Sequence, residues 1–263
     1  NDFPELIESY FGMTLLFSWI ASVFMAVLLM RGMHAAGRTS MNSFLAKAPL
    51  SDRILGATLT RNVVKTYVTV FLLFEVILLL TCLLLYLMHG REALQPDAHR
   101  FGWFRLWLNY TLVMLIGYWF FGANLISILW TGRTWFYWTM LALCAASFLF
   151  FVGVPMVSRE LIGNYVFHHY LMLVLILFYS LLMLGGTAFA YRSAAKKVLI
   201  TPRTVWTALV CWMLCTITAW VYLYPDRVDI NRIAELIFLG AILSLLFAPF
   251  ATIPLAISWN RHR

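Results

Sequence analysis

Long apolar runs separated by short polar connections set the pattern of the chain. They cover Phe11–Met30, Val68–Met88, Leu106–Trp130, Phe136–Val157, Tyr170–Tyr191, Val205–Tyr224 and Ile233–Ile257. Each is about as long as the roughly 17–25 residues a helix needs to cross a bilayer. The pattern predicts an all-α fold, a polytopic transmembrane helix bundle of about seven spans, as a single domain over residues 1–263. Tryptophan and tyrosine mark many run ends (Trp103, Trp107, Trp130, Trp135, Tyr191, Trp206, Tyr224, Trp259), as anchors at the lipid–water boundary do. No repeat, low-complexity tract or Gly/Ser linker divides the chain.

Two connections are longer than the rest, His89–Arg105 and Thr39–Lys65, and the second is the more informative. It reads TSMNSFLAKAPLSDRILGATLTRNVVK. Pro49 opposes a helix running through from Ala46, Ser51 suits a cap, and Asp52 suits a first turn. Pro49-Leu50-Ser51-Asp52-Arg53 therefore predicts a turn followed by a helix start. Ile54, Leu55, Ala57, Leu59, Val63 and Val64 continue that helix toward the second span.

Composition sharpens the class. Hydrophobic residues make up 63% of the chain and charged residues 11%, against roughly a quarter charged in soluble domains. The net charge of +8 does not point to nucleic acid, because the cations collect at run ends and form no stripe. They orient the spans instead. Arg31, Arg38, Lys47, Arg53, Arg61 and Lys65 face only Asp52 in the first connection. Arg133 lies in a short turn, Arg192, Lys196, Lys197 and Arg203 share the fifth connection, and Arg261 and Arg263 end the tail. The alternate connections mix both signs, and Asp2, Glu5 and Glu8 precede the first span. The amino end is thus expected outside and the carboxyl end in the cytoplasm. A chain that starts outside at Asn1 without a signal segment is expected to be a piece of a longer protein with at least one more helix upstream.

Few side chains suggest chemistry. Glu75 lies near the middle of the second span, where a carboxylate costs on the order of 3 kcal/mol or more and must face protein or water. It is either a substrate or proton contact, or an acid hydrogen-bonded to Asn109, Asn124 or a tyrosine of a neighbouring helix. Asn124, with Gly117 and Gly122, suits close helix packing. Gly185-Gly186 suits the same, or a kink. Cys82, Cys144, Cys211 and Cys215 all fall within spans as packing residues, and no metal site is expected. His34, His89, His99, His168, His169 and His262 lie in connections, at a span mouth or in the tail, which argues against haem held within the bilayer. Asp226 and Asp229 are the nearest approach to a paired acidic site facing outward, but mutual neutralisation with the arginines of the same tight loop is expected instead. No zinc-protease, nucleophile-elbow or phosphate-loop motif occurs, so no enzyme activity and no cofactor are expected, and any ATP must be bound by another polypeptide.

Ala48-Pro49-Leu50-Ser51-Asp52-Arg53, followed by Ile54-Leu55-Gly56-Ala57, resembles the cytoplasmic segment of permease subunits of type-2 ABC transporters. The tail Pro254-Leu255-Ala256-Ile257-Ser258-Trp259-Asn260-Arg261-His262-Arg263 is similar to the ending of large permease-like proteins of planctomycete-type bacteria. Thr58-Leu59-Thr60-Arg61 departs from the class, which often has a lysine there. The resemblance implies a multi-pass protein of the bacterial inner (cytoplasmic) membrane, an exporter component. It would be coupled through residues 39–66, and within them Pro49, Leu50, Ser51, Asp52, Arg53 and Leu55, to a separate ABC ATPase. A second permease half or a second copy would complete it, with membrane lipids and no nucleic acid as further partners. The alternative is a polytopic protein without transport activity, such as a lipid-modifying enzyme or an assembly scaffold.

Overall fold

The computed structural model describes residues 3–33, 41–89, 103–149, 165–223 and 230–262. All the regular elements among them are helices: α1 (Phe3–Met33), α2 (Ser43–Ala46), α3 (Asp52–His89), α4 (Trp103–Leu129), α5 (Thr134–Phe148), α6 (Tyr165–Lys196), α7 (Pro202–Leu223), α8 (Ile230–Phe247) and α9 (Pro249–Arg261). Five contain stretches long and apolar enough to cross a membrane: Gly12–Arg31, Asp52–Thr81, Asn109–Leu129, Tyr170–Lys196 and Pro202–Tyr222. The pair α8–α9 makes a sixth if counted as one bent span. The expected run at Phe136–Val157 appears as α5, 15 residues long, and residues 150–157 lie outside the described residues.

The distribution of side chains is that of a membrane protein. Leu72, Leu73, Val76, Leu80, Leu181 and Phe189 are exposed, whereas Ser18, Ser22, Ser127, Ser180 and Ser244 are buried. A helix in water would bury its leucines and expose its serines. In lipid, helices instead approach through small and polar residues.

The chain divides into two compact units, residues 1–32 with 58–126 and residues 33–57 with 127–263. In the first, α1, α3 and α4 close around Tyr67. The Tyr67 hydroxyl donates to the Ser22 carbonyl at 2.9 Å, and the Ser22 hydroxyl donates to the Tyr118 carbonyl. Gly122 and Gly117 make this approach possible. A Cβ at Gly122 would overlap the Tyr67 and Ser22 oxygens, and one at Gly117 the Trp19 indole.

In the second unit α8 packs on α6 and α7, and α9 packs on α6. The Trp212 indole N–H donates to the Gly240 carbonyl at 2.7 Å across α7 and α8. The run expected as one span at Ile233–Ile257 breaks at Ala248, where the axes bend by 47°. Pro249 has no N–H to give, and Ala251 N–H turns to the Ala248 carbonyl at 3.0 Å instead of reaching Phe247. The Phe247 carbonyl so released accepts the Tyr191 hydroxyl at 2.8 Å. At Gly185-Gly186 α6 runs on, and no atom of the described residues lies within 4 Å of either added Cβ. It makes no close approach among the described residues.

α6 ends in a Schellman turn. Leu199 N–H bonds to the Ala194 carbonyl and Val198 N–H to the Ala195 carbonyl, both at 3.0 Å. Leu199 joins Ala190, Ala194, Ile200, Ala251 and Leu255 in a small buried cluster. The left-handed position that glycine normally fills is held by Val198, at φ 56°. A β-branched residue there costs roughly 1–2 kcal/mol, and its side chain is exposed. Val198→Gly is expected to stabilise the protein by about 1 kcal/mol, after the added chain entropy of glycine. Equilibrium unfolding in mixed micelles checks this, and a destabilised variant would show that the turn is not formed this way.

Candidate functional site

The segment from Met41 to Asp52 is bound by the end of α9. Pro49 first shapes it: Leu50 N–H bonds back to the Ala48 carbonyl at 2.8 Å, a three-residue turn that suits the fixed φ of proline. Ser51 then caps α3, its hydroxyl accepting from Ile54 N–H at 3.4 Å, and Leu55 N–H makes the first helical bond to the Ser51 carbonyl at 3.0 Å. The turn and helix start expected from Pro49, Ser51 and Asp52 are therefore present.

This path turns alternate carbonyls toward a single guanidinium. Arg261 donates to the carbonyls of Ala46 at 3.3 Å, Ala48 at 2.6 Å and Leu50 at 2.6 Å. It also donates to Asp52 Oδ1 at 3.0 Å. A planar fork of five N–H donors can do this; a lysine ammonium cannot. The other oxygen of Asp52 accepts from the Ser258 hydroxyl at 3.0 Å and lies 2.7 Å from His262 Nε2. Asn260 adds a second clasp, accepting from Met41 N–H at 3.1 Å and donating to the Trp130 carbonyl at 3.0 Å. The Gly56 backbone lies against the Pro254 ring, where an added Cβ would come within 3.1 Å.

These contacts alter the expected docking face. Leu55 is 3% exposed, so its side chain offers little to a partner. Asp52 is occupied by the tail. Pro49, Leu50, Ser51, Arg53 and Ile54 remain at the surface. The tail was legible as a motif but not as the partner of this loop, although Asp52 is the sole acid of a basic connection.

Glu75 lies on α3 in the first unit and is 8% exposed. The Thr111 hydroxyl of α4 donates to its Oε2 at 3.3 Å. Thr111 was not among the expected partners, though it stands two residues from Asn109, which was. Beside the pair, Thr14, Leu15, Leu78, Tyr110 and Met114 line a small apolar cavity. The Asn124 amide donates to the Phe120 carbonyl of its own helix at 2.9 Å. Cys211 and Cys215 are free thiols, and no group of three metal-ligating side chains occurs among the described residues. Asp226, Asp229, His34 and His99 lie outside the described residues, as do the side chains of Cys82, Cys144, His89, His168 and His169.

No protein-family model matches the sequence, and no curated protein and no solved structure does either.

Proposed function

We propose that the chain is the membrane-spanning permease subunit of an ATP-driven transporter, an exporter of the type-2 ABC class in the bacterial inner membrane. A separate ATPase would dock on the exposed Pro49–Ile54 surface, and a second permease half or a second copy would complete the pathway. The observation that supports this is one uninterrupted helix, Asp52–His89. It carries the exposed Arg53 and Ile54 at its start and the buried Glu75 farther along. A push on the loop would travel along that helix, and the Arg261 clasp would keep the loop from yielding locally.

The test is co-purification of the full-length protein with its ATPase. Leu50→Asp, Arg53→Asp and Ile54→Asp together are expected to abolish the complex while leaving the thermal midpoint close to wild type, because all three side chains are exposed. An intact complex would overturn the docking role. Leu55→Asp is a poor probe, since it puts a charge into packed protein.

A second reading draws on the clasp itself. The tail already satisfies the loop without any partner, which suits a polytopic membrane protein with no transport activity. Activity that persists in proteoliposomes lacking ATP would select it.

A further inference from the structure

We propose that Arg133, Lys197 and Trp259 seat the phosphate of an anionic phospholipid at the membrane boundary. This is independent of the transporter assignment. The Arg133 guanidinium lies 5.9 Å from the Trp259 ring centroid, and the Lys197 ammonium lies 5.8 Å from it. Both cations lie over the same ring, and neither forms an ion pair with an acid among the described residues. An anion at this place would use both charges.

The surrounding structure holds the three residues in place. Trp259 stands between Ser258 and Asn260, both fixed by the clasp. Lys197 is set by the Schellman turn whose left-handed position is the strained Val198. A β-branched residue kept where glycine is easier is the kind of strain that accompanies a functional position.

The position of the seat selects a lipid over a soluble anion. Lys197 directly follows the apolar stretch Tyr170–Lys196, and Arg133 follows Asn109–Leu129 by one short turn. Trp135 and Trp138 at the start of α5, and Trp206 at the start of α7, are exposed. Such tryptophans lie at headgroup depth, where acyl chains pass inward over apolar helix faces.

The experiment places the full chain in phosphatidylcholine nanodiscs with and without phosphatidylglycerol. It reads the thermal midpoint, and the retained phosphatidylglycerol by native mass spectrometry. The wild type is expected to gain several degrees and to retain phosphatidylglycerol. Lys197→Gln and Arg133→Gln should each weaken retention about tenfold, the effect of losing one charge-assisted hydrogen bond to the phosphate. Arg192→Gln, exposed on the same connection, should behave as wild type. Lys197 is exposed, so its variant carries the test even where Arg133→Gln folds poorly. Retention by Lys197→Gln equal to wild type would overturn the proposal. So would an equal loss in Arg192→Gln, which would mean diffuse attraction. A midpoint gain from inorganic phosphate alone, in phosphatidylcholine discs, would replace the lipid with a free anion and overturn it too.

Discussion

Arg261→Ala is expected to cost about 3 kcal/mol or more, the range for removing one partner of a largely buried charged pair. The Arg261 side chain is 13% exposed and that of Asp52 19%. The loss reaches beyond the ion pair, because the carbonyls of Ala46, Ala48 and Leu50 lose their donor together. Arg261→Lys keeps the charge but cannot fan out to four acceptors, so its cost should be intermediate. Asp52→Asn should be milder still, as the three carbonyl bonds survive. Limited trypsinolysis gives a second readout. The bond after Lys47 lies inside the clasped segment, and Arg261→Ala should be cut there much faster than wild type. A variant with wild-type unfolding and wild-type cleavage would show that the clasp does not hold the loop.

The second large effect is expected at Gly122. Gly122→Ala places a methyl group where Tyr67 and Ser22 already meet, and both of these side chains are fully buried. Forcing atoms into a packed site costs about 1–3 kcal/mol, and here it also separates the Ser22 bonds to Tyr67 and Tyr118. Gly185→Ala is the matched comparison. It has open space around it and should be neutral or stabilising by about 0.5–1 kcal/mol, the ordinary gain from replacing glycine within a helix. Equal behaviour of the two variants in mixed-micelle unfolding would contradict the packing around Tyr67.

That contrast shows what the sequence could and could not convey. Gly117-Gly122 and Gly185-Gly186 look alike as letters, and both suited close packing. They differ only in what another helix brings to them, which no local pattern records. Five of the expected spans were legible because lipid requires a long apolar run, and such a run is visible in one dimension. The loop was legible as far as Pro49 and Ser51 act on their own backbone. The bend at Ala248 is legible too, since Pro249 lies inside the run Ile233–Ile257. Glu75 announced itself by its cost, but its hydroxyl partner, Thr111, carries no charge and leaves no mark in the sequence. The clasp was hidden for a different reason: Arg261 and Asp52 are 209 positions apart, and neither residue alone predicts the other.

That separation also has a kinetic side. At ribosomal speeds of about 5–20 residues per second, Arg261 is made roughly 10–40 s after Asp52. For that interval the carbonyls of the Ala46–Leu50 turn and the Asp52 carboxylate must be hydrated or held by another molecule. The nascent α3 can enter the bilayer early, but this loop is fastened only when α9 emerges from the ribosome.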